Sequence, residues 1–155
     1  MPRFPGLDFG TTNSTLALAA PGGAPALVPV EADSPTIPSA LFFSLEDGGT
    51  YFGRAAIFEY VDGAEGRFMR ALKSILGTSL MAETTPIGRE RMSFEALIGR
   101  FLKHLREKLE AEAARSEGGP DAVATDRVVL GRPVHFIDDD AGADQTAEDQ
   151  LAAAA

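Results

Sequence analysis

Two short apolar runs, residues 7–9 and 15–20, flank the five residues Gly10-Thr11-Thr12-Asn13-Ser14. Glycine and small polar residues between strand-like runs force a reversal, so the chain opens with a β-hairpin. The residues at this reversal carry chemistry. The first strand delivers the carboxylate of Asp8, and Gly10 permits a tight turn with close backbone approach. Thr11, Thr12 and Asn13 then offer hydroxyls, an amide and backbone N–H groups. Successive N–H groups in a tight turn form an anion-binding concavity. A carboxylate beside it is placed to hold the hydrated Mg²⁺ that accompanies a nucleotide. The plainer alternative is a hairpin with a polar turn. Asp8 on the strand and the apolar run Leu16-Ala17-Leu18 after the turn weigh toward the anion site.

The rest of the composition narrows the partners. The chain has 155 residues, about one domain's worth, with 45% hydrophobic and 24% charged residues. Its net charge of -9 argues against a nucleic-acid or anionic-membrane surface, which needs clustered Lys and Arg. A small phosphate site needs only local donors and stays compatible with that charge. There is no cysteine, which rules out disulfides, thiolate metal sites and cysteine nucleophiles. No stretch resembles a signal peptide or a membrane span, so the expected location is the cytoplasm.

Further along, residues 26–30, 40–45 and 50–52 read as strands. Together with the hairpin they suggest an antiparallel meander. Residues 54–61 and 68–76 read as short helices, and 81–92 as a loop or short hairpin. The strongest signal is a helix over 94–115, with Phe94, Leu97, Ile98, Phe101, Leu102, Leu105 and Leu109 on one face. Ser93 is its expected N-cap, Met92 and Leu97 its hydrophobic staple, and Gly118-Gly119-Pro120 its end. Residues 127–130 read as a buried strand and 143–155 as a last helix. A helix in a strand–helix order normally returns to another strand, so the chain is expected to be incomplete.

Residues 6–14 resemble the first phosphate motif of the actin, sugar-kinase and DnaK chaperone superfamily, and Gly-Thr-Thr-Asn-Ser is most similar to the DnaK-like chaperones. Four further stretches resemble that family in the same order: Thr36-Ile37-Pro38-Ser39, Phe52-Gly53-Arg54-Ala55-Ala56, Lys73-Ser74-Ile75-Leu76-Gly77, and Val128-Val129-Leu130-Gly131-Arg132-Pro133-Val134-His135-Phe136. The wording of the last, with the run from Arg70 to Met81, is similar to the divergent YegD-like branch. The resemblance implies an α/β fold, lobe I of an actin-like, ribonuclease-H-like ATPase. Residues 1–155 would be the N-terminal part of the nucleotide-binding domain, a mixed sheet with packed helices, the second lobe being absent.

It also implies roles. Asp8 would sit near Mg²⁺, through water, and near the attacking water. Gly10, Thr11, Thr12 and Asn13 would bind the ATP or ADP phosphates. Lys73 would reach the γ-phosphate, where a point charge stabilises phosphoryl transfer; without the motif it reads as a surface lysine on an amphipathic helix. Unfolded client proteins are implied as partners, through a domain outside this chain.

Other polar residues read more plainly. His135 stands where the family has tyrosine and reads as structural. His104 reads as a packing or surface residue of the long helix. Asp138-Asp139-Asp140 suggest a metal at first sight, but acids favour a helix N-terminus and three adjacent carboxylates cannot all point inward.

The pattern departs from the chaperones at one point. They carry an arginine eight residues after the proline that relays nucleotide state. Pro133 is present here, but the later position is Ala141. The second phosphate motif, the acid between the motifs and the adenosine pocket are not in residues 1–155, so these residues alone are expected to hydrolyse ATP poorly. An ATP-dependent small-molecule kinase and a non-catalytic nucleotide-sensing module are the alternatives.

Overall fold

The structure, a computed structural model, describes residues 3–115, 123–124, 127–133, 136 and 140–155. It is a mixed α/β fold. β1 (Phe4–Phe9) and β2 (Asn13–Ala19) form the expected hairpin, with Asp8 opposite Thr15 and Phe9 opposite Ser14. β3 (Ala26–Val28) pairs with the end of β2, and β4 (Thr36–Pro38) with its start. On its other edge β1 takes β10 (Val129–Gly131) in parallel, which places Gly131 opposite Asp8.

The expected single meander is two sheets. β5 (Ala40–Ser44) does not continue from β3 but lies at the centre of a second sheet, between β6 (Thr50–Phe52) and β7 (Gly66–Arg70). All five positions of β5 are buried, so it needs a partner on both edges. That need explains a correction. Residues 68–76 do not form a helix. Gly66 to Arg70 pair with β5, Ala71 turns through the left-handed region at φ 56°, and a 3-10 turn follows at Leu72–Ile75. Gly66 is required at its position, since a Cβ there would lie 2.4 Å from Phe42.

Other elements fall near their expected places. α1 spans Gly53–Asp62, and Gly53 adopts φ 61° with Ile37 filling the space of a Cβ. Residues 81–92 hold a second 3-10 turn (Ser79–Ala82) and a hairpin of β8 (Thr84–Ile87) and β9 (Glu90–Ser93). α2 (Phe94–Arg115) starts at the Ser93 cap, whose Oγ accepts from the Ala96 N–H at 3.1 Å. α3 spans Ala141–Ala154. Asp140 caps it, its Oδ1 accepting from the N–H groups of Gly142 and Ala143. Asp138, Asp139, His135 and residues 118–120 lie outside the described residues.

The main core lies between the first sheet and the two last helices. Leu97, Ile98, Phe101, Leu105 and Leu109 of α2 are buried against Leu7, Phe9, Leu16 and Val28, with Ala147 and Leu151 of α3 closing the layer. Each large side chain buried here contributes about 1.5–3 kcal/mol relative to exposure. Phe9, the residue before the turn, has its ring centroid 5.8 Å from that of Phe101. The long helix therefore anchors the strand that carries the turn. One strand departs from its expected burial: Val129 of β10 is 72% exposed, because it lies opposite Gly6, on the sheet face that carries Asp8 and points away from α2. No helix of the described residues is long and apolar enough to cross a membrane.

Candidate functional site

The turn between β1 and β2 is tighter than its sequence alone requires. A Cβ on Gly10 would stand 2.0 Å from the carbonyl oxygen of Asn13, so no other residue fits without rebuilding the loop. The second half of the turn is held from outside. The Ser39 N–H donates to the Thr12 carbonyl at 2.8 Å, and the buried hydroxyls of Ser14 and Ser39 meet at 2.8 Å. Asn13 pairs with Pro38 in the β2–β4 register. Two stretches that are separate in sequence, the Gly-Thr-Thr-Asn turn and Thr36-Ile37-Pro38-Ser39, thus form one construction.

A third stretch joins them. The Arg54 N–H donates to Glu31 Oε1 at 2.7 Å, and its guanidinium donates to the Thr36 carbonyl at 2.9 Å while pairing with Glu31. The start of α1 is thereby tied to β4, and β4 to the turn.

Thr11, Thr12 and Asn13 are exposed at the tip. Among the described residues no partner takes the backbone N–H or the hydroxyl of Thr11 or Thr12. Asp8 is also exposed, on the sheet face away from α2, and no described residue donates to its carboxylate. These unclaimed groups stand within five residues at the end of a rigid hairpin. The arrangement can receive an anion on the N–H groups and hydroxyls, and a hydrated cation on the carboxylate. Among the described residues no group of three or more His, Cys, Asp or Glu gathers to hold a metal directly.

The turn forms one wall of a cleft of about 530 Å³. Pro38 and Ala40 line its floor, and Ile57, Tyr60 and Val61 of α1 form the opposite wall. Phe68 and Arg70 of β7, with Ala71, complete it.

Lys73 is near this assembly but does not line the cleft. Its Nζ lies 5.9 Å from the ring centroid of Phe136, a cation–π arrangement. Phe136 follows β10, which runs parallel to β1, so the two chains leave the sheet at the same end. Helix α3 fixes this corner. Asp144 accepts from the Phe136 N–H, and Gln150 Oε1 accepts from the Gly77 N–H at 2.8 Å, just after the turn that bears Lys73. The structure thus brings Asp8, Gly10, Thr11, Thr12 and Asn13 together. It sets Lys73 at the same end of the sheet, on a 3-10 turn rather than a helix, without a hydrogen bond or ion pair to Asp8.

His104 is half-buried and stacks on Phe52, ring centroids 4.1 Å apart, which is a packing role. Burial, reinforced by nearby Lys108, lowers its pKa from the ordinary 6.5. Sequence reasoning missed Tyr60 and Arg70. Tyr60 lies in no recognisable pattern and Arg70 only opens the run from Arg70 to Met81; the pairing of β7 with β5 and the seating of α1 bring them to the cleft beside the turn.

No family model matches this chain.

Proposed function

We propose that residues 1–155 form the first lobe of an actin-like, ribonuclease-H-like nucleotide-binding domain in a DnaK-like chaperone ATPase. The observation that carries this reading is the turn. Its Gly10 excludes any side chain, Ser39 braces it from behind, and it presents N–H and hydroxyl groups of Thr11 and Thr12 beside the carboxylate of Asp8, none of them with a partner among the described residues. The mixed sheet with helices packed on one face, and the joining of three of the five family-like stretches around the turn, support it.

In this reading Thr11 and Thr12 bind the β- and γ-phosphates of ATP. A lone exposed carboxylate fits Mg²⁺, which keeps several waters and takes one or two carboxylates besides the phosphates. Bound Mg²⁺ would neutralise charge on the phosphate oxygens. Asp8 would hold that hydrated ion through water and lie near the attacking water. Lys73 would supply positive charge to the γ-phosphate once its ammonium leaves the ring of Phe136. Hydrolysis of ATP by the whole protein, a cytoplasmic location and a protein-remodelling role toward unfolded clients are the activities this reading assigns.

The seating of Lys73 over Phe136 favours one alternative, a module that binds nucleotide without turning it over. Calorimetric titration with Mg-ATP tests binding, and phosphate release tests turnover. Binding should be lost in Gly10→Ala and should lose its Mg²⁺ dependence in Asp8→Ala. Variants that both bind like the wild type would overturn the reading; binding without phosphate release from a protein that includes the second lobe would favour the alternative.

A further inference from the structure

We propose that the surface where α2 crosses the second sheet, around Arg67, Arg100 and Lys103, docks a short acidic segment of another protein. It shares no lining residue with the cleft beside the turn.

Charge is unevenly shared along the chain. Residues 66–106 hold eight Lys or Arg against three Asp or Glu, whereas the rest hold six against twenty. Among the described residues only Arg106 of these eight makes an ion pair. The fold gathers three of the others. Across the second sheet Thr50, Phe43 and Arg67 stand side by side in register. α2 passes over this row and sets the Arg100 guanidinium 5.7 Å from the ring centroid of Phe43. Arg67 thus stands beside the ring that Arg100 covers, and Lys103 follows Arg100 by one helical turn. Like charges at such spacing repel, and no carboxylate of the described residues is paired to them.

Both arginines are held in place. Arg67 Nη2 donates to Thr85 Oγ1 at 3.2 Å, and Arg100 Nη1 lies 3.5 Å from Thr50 Oγ1. Ordering them in advance lowers the cost of binding. A guanidinium presents a planar fork that matches a carboxylate. Beside Arg100 opens a hollow of about 330 Å³, lined by Phe52, Arg100, Lys103, His104 and Glu107. The Phe52 ring, stacked on half-buried His104, gives the hollow an aromatic side on which an apolar side chain can rest. Glu107 stands two helical turns from Arg100, so a carboxylate is favoured at the Arg100 end and opposed at the Glu107 end.

The charges select the occupant. An extended polyanion such as a nucleic acid or an anionic membrane would also meet the field of the twenty acids elsewhere in the chain. A short acidic segment meets the local excess alone, because exposed charges beyond about 10 Å are screened. A second copy would offer its acidic last third. There, however, every described Asp and Glu after Lys108 is already held, by Arg106, Arg115, Arg132, Gln145 or a backbone N–H.

The probe is a fluorescein-labelled peptide of glutamate and glycine with one central phenylalanine, followed by anisotropy at low ionic strength. It should bind the wild-type chain and be released by added salt. Arg100→Ala and Lys103→Ala should each weaken it about 2- to 5-fold, and the double variant Arg100→Glu, Lys103→Glu should abolish binding. Glu107→Gln should tighten it. Arg115→Ala, in the last turn of α2 and outside the surface, should change nothing. Arg100 also packs on Phe43, whereas Lys103 is exposed and makes no hydrogen bond or ion pair among the described residues. Lys103→Ala therefore separates docking from folding, and circular dichroism checks every variant. Absence of binding, or equal loss in Arg115→Ala and Lys103→Ala, overturns the proposal. So does tighter binding of a single-stranded oligonucleotide of equal charge, the mark of a polyanion surface. Self-association in sedimentation that Lys103→Glu abolishes would overturn it too, by making a second copy the occupant.

Discussion

The hydroxyls of Ser14 and Ser39 meet at 2.8 Å, both side chains buried, and join the strand that leaves the turn to the residue that follows β4. Each is the other's partner within a packed interior. Removing one leaves a buried hydroxyl unsatisfied, which costs about 1–3 kcal/mol, whereas removing both can be nearly neutral. Ser14→Ala and Ser39→Ala should each lower stability by that amount in urea titration. The double variant should lose clearly less than the sum, and strict additivity would show that the two hydroxyls do not depend on each other.

Gly10→Ala is expected to damage the turn more than the domain. The added methyl would meet the Asn13 carbonyl at 2.0 Å, so the loop must open. The hairpin below it remains held by Phe9 against Phe101. Amide exchange should rise sharply at Thr11 to Asn13 and little in α2; uniform loss of protection across the chain would contradict this.

His104 links stability to pH. Its pKa in the folded chain is lowered from 6.5, chiefly by burial. The unfolded chain therefore binds the proton first as pH falls. Stability is complete above the unfolded value and declines as pH drops through it toward the folded one. The melting temperature should fall between about pH 7.5 and 5.5, and His104→Gln should show a smaller fall over that window. An equal slope in the variant would assign the effect to other groups.

At α3 the carboxylate of Asp140 accepts from two backbone N–H groups of the first turn. Asp140→Ala should destabilise by about 0.5–2 kcal/mol, and Asp140→Asn by less. The same helix fixes Phe136 and Gly77, so the Lys73 corner should loosen too, read as increased exchange at Gly77.

Local patterns made much of this fold readable. The apolar face of 94–115 and the Ser93 cap mark α2 and where it starts, since periodicity and capping act within a few neighbours. Gly10 between two strands marks the hairpin for the same reason. Residues 68–76 misled because Phe68, Leu72, Ile75 and Leu76 fall at helical spacing, while the cause of the strand is the bare edge of β5, which no local window contains. Val128-Val129-Leu130 looked buried because such apolar runs usually are; that Val129 falls opposite Gly6 on the open face is set by a register with β1 that no local window contains. The site divides in the same way. The residues of the turn are legible as chemistry, whereas the brace from Ser39 and the wall from Tyr60 exist only through contacts between distant segments.

The parallel pairing of β1 with β10 sets an order of events during synthesis. β1, β2 and β4 leave the ribosome early and can form the braced turn from neighbouring sequence alone. The outer edge of β1 must wait for Val129 to Gly131, more than a hundred residues later. Until then Gly6, Leu7 and Asp8 offer unpaired backbone groups, a template on which another nascent chain can pair. A long-range closure of this kind is slow to form. The turn can thus be shaped well before the strand that bears it is sealed along both edges.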